Sequence, residues 1–177
     1  MSRIIAVFGS STVTQDSEEA RLACHVGRRL AEKGAIVMNG GYAGVMEAVS
    51  RGARSAGGKV VGVTVDSFEG RAPNPHLSVE QPEPDLYERL RVLTSEPDGF
   101  LALPGGLGTA AEIFLVWNLL VMRQRRPAPL VLLGNALEVL LDPAHDRMGI
   151  PPEHYRLVRY AHGPEEAVDW VMEEPRT

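Results

Sequence analysis

A buried strand that runs into a glycine-rich turn and then a helix constrains the fold of this chain more than any other stretch. The strand is predicted over 99–103, and Pro-Gly-Gly-Leu-Gly follows at 104–108. Three glycines and a proline in five positions let the backbone approach a ligand closely. A helix beginning near Thr109 would direct its unpaired N–H groups and the positive end of its dipole into this turn. The stretch therefore predicts a phosphate site, because phosphate commonly binds at such helix ends.

The same residues also have a purely structural interpretation. Thr109-Ala-Ala-Glu112 fits the S/T-x-x-E capping box, in which Glu112 reaches back to the first amide of the helix. The turn lacks the spacing of the dinucleotide fingerprint, and it lacks the Gly-Lys-Ser/Thr of a P-loop. Spacing alone leaves the capping and phosphate-binding interpretations both open.

The rest of the chain alternates strand patterns with helix patterns. This alternation predicts an α/β fold: a single domain over 1–177 with a Rossmann-like, doubly wound, mainly parallel sheet and helices on both faces. The stretch 67–84 contains four prolines and is predicted to be irregular. Strands are predicted over 3–8, 35–38, 59–65, 99–103, 130–133 and within 155–161, and helices over 17–33, 45–56, 85–95, 109–125, 135–141 and 164–172.

Glycine or serine turns follow three of the predicted strands, at 9–11, 40–44 and 104–109. The carboxyl ends of parallel strands meet at one edge of the sheet, where ligands of such folds bind. Three turns at that edge predict a nucleotide or sugar-phosphate site. The candidate binding residues are Gly9, Ser10, Ser11, Gly40, Gly41, Gly44, Met46, Pro104, Gly105, Gly106, Gly108 and Thr109.

Composition narrows the possible classes of function. The net charge of −5 disfavours a nucleic-acid-binding protein. Cys24 is the single cysteine, so no disulfide framework is expected, and the five histidines lack metal-ligand spacing, so no metal is expected. No signal peptide pattern precedes Ile4, and the longest apolar run, 113–122, is too short to span a bilayer. We therefore expect a cytoplasmic protein without membrane contact.

The helix pattern from Ala110 to Met122 is apolar nearly all round. One face of such a helix packs on the sheet, and the other is expected to contact a second copy of the chain. This predicts a homodimer, or a larger homo-oligomer, formed through this helix. A helix that is wholly internal is the alternative.

With these turns identified, the chain resembles the Lonely Guy (LOG) family of cytokinin-activating nucleoside 5′-monophosphate phosphoribohydrolases, often mislabelled as lysine decarboxylases. Residues 104–112 match the family hallmark P-G-G-x-G-T-x-x-E at every fixed position. Residues 7–11 and 40–46 are similar to the family's first two glycine turns. The family also has an arginine fifteen residues before the hallmark proline, where this chain has Arg89.

The resemblance implies that Arg89 and Glu112 are catalytic. The implied reaction hydrolyses the N-glycosidic bond of AMP or a similar nucleoside monophosphate, giving free base and ribose 5-phosphate without a cofactor. Glu112 would stabilise an oxocarbenium-like transition state and orient the attacking water, and Arg89 would hold phosphate or ribose oxygens. Without the family match, a solvated ion pair of Arg89 with a neighbour such as Glu88 is the alternative.

The chain departs from the family at four positions. Tyr87 and Leu90 replace a histidine and a lysine beside the arginine, Asn39 stands where a glycine is common, and Glu47 often corresponds to glycine. Relatives with such changes include nucleotide-like ligand binders and molybdenum-cofactor carriers. A non-catalytic binding protein with the same pocket is therefore the alternative function.

The lysine decarboxylase label can be tested on the lysines themselves. Pyridoxal-phosphate decarboxylation requires a lysine for the Schiff base. The chain has only Lys33 and Lys59, at a predicted helix end and a predicted strand start, opposite the glycine turns. The sequence therefore argues against that activity.

Overall fold

The computed structural model describes residues 2–66, 70, 72–134 and 149–174, which form a seven-stranded parallel sheet with helices on both faces. The strand order is β4-β3-β2-β1-β5-β6-β7. The strands are β1 (Ile4–Phe8), β2 (Ile36–Asn39), β3 (Val60–Val65), β4 (Val79–Glu83), β5 (Gly99–Ala102), β6 (Leu130–Leu133) and β7 (Val158–Ala161). The helices are α1 (Glu18–Glu32), α2 (Val45–Ser55), α3 (Leu86–Ser95), α4 (Leu107–Val121), α5 (Pro152–Tyr155) and α6 (Pro164–Val171).

The direction in which strands are added reverses beside β1. The chain builds outward from β1 to β4, then returns to pair β5 with the other side of β1. In open parallel sheets, the crevice at such a reversal is where ligands bind. The predicted Rossmann-like α/β fold is confirmed, and the three glycine turns follow β1, β2 and β5 around this point.

Strand β1, at the centre of the sheet, is apolar along its whole length because both of its faces are covered. Ile5 and Val7 of β1 pack into the core that contains α1, α2 and α6. Ala6 and Phe8 of the same strand pack into the core that contains α3 and α4. A strand between two helical layers reads as a continuous hydrophobic run, as predicted for 3–8.

The edge strand β4 corrects the prediction that 67–84 is irregular. Its residues Val-Glu-Gln-Pro-Glu pair in parallel with β3, and all five are exposed or only partly buried. An edge strand has one unpaired side, so it tolerates Pro82 and needs no apolar pattern. The sequence signal for a strand is therefore weak here.

The predicted helix over 135–141 lies outside the described residues.

Helix α4 is not wholly internal, so that alternative is wrong. Ile113, Val116 and Trp117 are buried, whereas Leu107 is 89% and Met122 is 60% exposed. The outer face is therefore apolar and open to solvent, and the predicted self-association through it stays a prediction.

Among the described residues, no helix combines the length and apolar character needed to cross a membrane.

Helices α1 and α2 touch backbone to backbone through two glycines. A Cβ atom on Gly27 would lie 2.0 Å from the carbonyl oxygen of Val49, and one on Gly52 would lie 1.8 Å from that of Cys24. Neither carbonyl can move aside, because each belongs to a helix backbone. The two glycines therefore set the helix separation on this face of the sheet.

We predict that Gly52→Ala destabilises the protein by about 1–3 kcal/mol, because the overpacking cost exceeds the gain in helix propensity. Urea unfolding followed by circular dichroism measures the change. Arg28→Ala on the exposed side of α1 is the control, and it should change stability by less than about 0.5 kcal/mol. Equal stability of Gly52→Ala and wild type would contradict the close contact.

Candidate functional site

The backbone of Ser10 joins the three glycine turns. Its N–H donates to the carbonyl oxygen of Pro104 at 3.2 Å, and its carbonyl oxygen accepts from the N–H of Val45 at 2.8 Å. One residue of the first turn is therefore bonded to the second and the third. These two hydrogen bonds hold the three turns together at the edge of the sheet where the strand order reverses.

Two glycines make this close approach possible. Gly44 has φ +74°, and a Cβ there would lie 2.3 Å from the carbonyl oxygen of Ser10. A Cβ on Gly105 would lie 2.2 Å from Oγ1 of Thr109 and 2.8 Å from the amide nitrogen of Ser10. Both positions thus require glycine for contact between turns, before any ligand is considered.

The amino end of α4 opens into the space between the turns. The residue before the helix is Gly106, which has no side chain with which to cap it, and the N–H of Ala110 is the first to bond back, to the Gly106 carbonyl. Thr109 lies inside the first turn, so the capping box predicted as an alternative for Thr109 and Glu112 is wrong. The preceding N–H groups have no acceptor within the helix and can bind an anion.

A cavity of about 220 Å³ lies at this place and gathers most of the predicted site residues. Both predicted catalytic residues line it. The lining does not include Gly40, Gly41, Gly44, Pro104 and Gly105. Gly44, Pro104 and Gly105 contact the other turns, whereas Gly40 accepts a hydrogen bond from Arg89 and Gly41 accepts one from the Asn74 N–H. The predicted residues in the lining are Gly9, Ser10, Ser11, Met46, Arg89, Gly106, Gly108, Thr109 and Glu112, and the others are Thr12, Tyr42 and Leu107.

Arg89 is held in a buried position, with 8% of its surface exposed. Its Nε donates to the Val63 carbonyl oxygen at 2.8 Å, Nη2 donates to that of Gly40 at 3.3 Å, and Cζ lies 5.7 Å from the centre of the Tyr42 ring. A Cβ on Gly40 would lie 1.9 Å from Nη2, so glycine leaves room for the guanidinium. The alternative of a solvated ion pair is wrong for Arg89; Glu88 pairs with Arg91 instead, at 2.7 Å.

Glu112 projects from α4 into the same cavity and is partly buried. Burial raises the pKa of its carboxyl group to about 7, although the positive charge of Arg89 acts in the opposite direction. Near neutral pH, the cavity therefore contains both the acid and the carboxylate forms of this residue. Such a group can hold or release a proton under mild conditions.

Asn39 supports the site structurally, and sequence reasoning did not include it among the site residues. It is fully buried, its Oδ1 accepts from the Gly41 N–H at 2.8 Å, and its Nδ2 donates to Ser50 Oγ at 3.0 Å and to the Met46 carbonyl oxygen at 3.3 Å. The side chain thus ties the second turn to α2. The departure from the family at this position has a structural role.

Tyr42 was also missed, although an aromatic residue inside a glycine turn was a usable signal. It lines the cavity beside Arg89, and its hydroxyl accepts from the Val65 N–H at 2.8 Å. The other departures lie outside the cavity lining. Glu47 accepts from Gln15 Nε2 at 3.0 Å, and Tyr87 is 84% exposed.

The two lysines lie at the opposite edge of the sheet. Lys33 ends α1 and forms an ion pair with Asp169 at 2.8 Å, and Lys59 directly precedes β3. Both are therefore at the amino ends of strands, whereas the cavity is at the carboxyl ends. This agrees with the argument against a lysine-based decarboxylase.

Comparisons with known proteins agree with this architecture. A cytokinin riboside 5′-monophosphate phosphoribohydrolase of Mycobacterium tuberculosis is 35% identical over 116 residues, which are 64% of this chain and 62% of that protein's length. One from Arabidopsis thaliana is 30% identical over 178 residues, covering 97% of this chain and 81% of its own. The chain thus spans less than two thirds of the mycobacterial relative.

Solved structures confirm the fold. The molybdenum cofactor binding protein of Rippkaea orientalis matches with a TM-score of 0.74 and 24% identity, covering 96% of this chain and 94% of its own. The molybdenum cofactor carrier protein of Chlamydomonas reinhardtii matches with a TM-score of 0.72 and 23% identity, over 96% and 95%. The SLOG cluster4 family model matches residues 2–133. The chain therefore belongs to the SLOG cluster4 family, among the LOG proteins that its glycine turns resemble.

Proposed function

We propose that this protein is a phosphoribohydrolase that cleaves the N-glycosidic bond of a nucleoside 5′-monophosphate. One water molecule is consumed, and the products are the free base and ribose 5-phosphate. The observation that carries the proposal is the placement of Glu112, with its raised pKa, in one cavity with Arg89 and the uncapped end of α4. The phosphoribohydrolase relatives support the same reaction class.

The 5′-phosphate is proposed to bind at the amino end of α4. The N–H groups of Leu107, Gly108 and Thr109 precede the first bonded amide of the helix, and all three residues line the cavity. Backbone donors and the positive helix end together favour a doubly charged anion. A Cβ atom on Gly106 or on Gly108 would meet no other described residue within 4 Å, so the ligand side of this turn is open.

The ribose is then expected beside Glu112, which lies about one turn further along α4. Loss of the base leaves positive charge on the sugar ring, and a carboxylate close to the anomeric carbon stabilises that charge. The same carboxylate can accept the proton of the attacking water. Both roles require the ionised form, which is substantially populated at neutral pH despite burial.

Arg89 is proposed to orient the substrate rather than exchange protons. Its bonds to the Val63 and Gly40 carbonyl oxygens hold the guanidinium group in place at the cavity wall. A preorganised cation loses little side-chain freedom when substrate oxygens bind to it. Its charge also favours the carboxylate form of Glu112.

The cavity size indicates which part of the nucleotide is enclosed. At about 220 Å³ it is smaller than the roughly 300–1,000 Å³ typical of sites that enclose a whole ligand. The phosphate and ribose would fill it, and the base would extend past Leu107, which is 89% exposed. The base therefore contributes less to binding in one chain than the ribose phosphate does.

We further propose that a second copy of the chain covers the outer face of α4. Leu107 and Phe114 on this helix, and Met122 directly after it, expose apolar side chains. The face continues from the rim of the cavity, so a dimer formed here would also limit access of solvent to the base.

Replacing Glu112 by Gln should lower kcat by about 10²- to 10⁴-fold while leaving nucleotide affinity nearly unchanged, because the amide cannot ionise. Base release from AMP and other nucleoside monophosphates is followed by chromatography, and binding by calorimetry. Glu88→Gln is the matched control and should retain activity, since Glu88 pairs with Arg91 outside the cavity. Tight binding without base release by the wild type would instead support the non-catalytic binding protein.

The pH dependence should report the raised pKa of Glu112. We expect kcat/KM to rise with pH through about 7, rather than near the ordinary value of 4.5, because the carboxylate is the active form.

Burial penalises the carboxylate form of Glu112, so Glu112→Gln should be more stable than wild type. The difference in stability should grow from pH 4.5 to 7 and then level off. Thermal unfolding measures this independently of turnover. A stability difference that is constant with pH would contradict the assignment.

Placing a charge on the outer face of α4 should prevent self-association. Phe114→Glu is expected to shift the protein to the monomer, because an ionised carboxylate cannot be buried in an apolar interface without a partner. Light scattering coupled to size-exclusion chromatography measures the mass. For comparison, Asn118→Glu places the same charge at a position of this helix that is already polar and exposed. A wild-type monomer at all concentrations would refute this mode of association.

A further inference from the structure

A second cavity lies at the opposite edge of the sheet, near the amino ends of β6 and β7. Its volume is about 670 Å³, roughly three times that of the cavity beside Glu112. Apolar side chains, including Leu120, Ala128 and Leu130, form part of its wall. Four arginines also line it: Arg123, Arg125, Arg156 and Arg159.

Positive charge exceeds negative charge in this cavity, although the whole chain carries −5. Among the described residues of the lining, Glu173 and Glu174 are acidic and four are arginines. Arg159 is partly neutralised, since its Nη1 lies 2.7 Å from the Glu173 carboxylate and its guanidinium lies 4.0 Å from the Trp170 ring centre. The remaining arginines give the cavity a net attraction for anions.

Arg125 provides a fixed part of this positive surface. Its Nη1 and Nη2 donate to the carbonyl oxygens of Thr94 at 2.6 Å and Pro97 at 2.9 Å, and its guanidinium stacks on Phe100 at 4.4 Å. Burial, and secondarily the charge of Arg126, lower its pKa to about 10. An anion nearby would offset that unfavourable burial of charge.

Arg123 occupies a backbone conformation that normally selects glycine. Its φ is +53°, and it is the single non-glycine residue with positive φ among those described. It follows the last residues of α4, where the N–H of Arg123 bonds to Leu120 and that of Gln124 bonds to Leu119. Such a helix end is usually completed by glycine or asparagine. A long cationic side chain is thus held at a position where it costs backbone energy.

Arg123 and Arg156 also have donors available for a ligand. Both are exposed, and neither guanidinium group has a hydrogen bond or ion pair to another residue in the described part of the chain. They approach the cavity from two different segments, one after α4 and one after α5. Together with the anchored Arg125 they surround an apolar wall with cations.

We propose that this cavity binds a small phosphorylated molecule whose apolar or aromatic body lies against the Leu120–Ala128–Leu130 wall. The forked guanidinium groups suit phosphate oxygens, which accept paired hydrogen bonds. The volume lies within the range of small-molecule sites. This site is distinct from the one proposed for hydrolysis, and it does not depend on that activity.

The test is calorimetric titration of the full chain with 1-naphthyl phosphate, which combines an aromatic body with one phosphate, and with 1-naphthol as the uncharged counterpart. Arg123→Gly removes a phosphate contact and relaxes the backbone at the same time. We therefore expect affinity at this site to fall about tenfold or more while the thermal unfolding midpoint does not fall. Arg156→Gln should weaken binding similarly.

Arg28→Gln, an exposed position on α1, is the matched control for net charge and should leave affinity unchanged. Any binding of the probe beside Glu112 would persist in Arg123→Gly and so is counted separately. The proposal is overturned if no binding event weakens in Arg123→Gly and Arg156→Gln, if Arg28→Gln weakens binding equally, or if 1-naphthol binds as tightly as its phosphate.

Discussion

The contact of three turns at one point of the sheet is the constraint on which the site depends. The Ser10 backbone donates to Pro104 and accepts from Val45, and these bonds require that Gly44 and Gly105 lack side chains. Because β1 lies between β2 and β5, the turns after all three strands converge there. The cavity is therefore a consequence of strand order together with the small size of the residues that follow each strand.

Burial of the Glu112 carboxylate in the cavity opposes folding. The Glu112 carboxylate is penalised by burial, and the charge of Arg89 offsets this only in part, so the pKa stays near 7. Backbone carbonyl oxygens of Val63 and Gly40 bind the guanidinium of Arg89. The two apolar cores, which cover both faces of the sheet, stabilise the fold against the cost of burying Glu112.

Regular parts of the fold could be predicted because their patterns are local. The apolar runs of the buried strands and the predicted ends of α1 and α3 depend on residues that are close in sequence. For example, Asp85 caps α3 by accepting a hydrogen bond from the Glu88 N–H. The failures have equally clear causes. β4 is an exposed edge strand whose pairing with β3 stabilises it, so it has no apolar pattern. The beginning of α4 is two residues earlier than Thr109, because glycine can start a helix without a capping side chain.

By itself, the sequence determined the α/β class, the three turns and the presence of an arginine and a glutamate in a family motif. Tertiary structure decided what surrounds them, since burial and long-range contacts have no local signature. Asn39 bonds to residues on α2, Tyr42 lies beside Arg89, and the pKa of Glu112 depends on atoms far away in the chain. The arginine-lined cavity is the clearest case: its residues come from segments around positions 123, 156 and 173, and only packing brings them together.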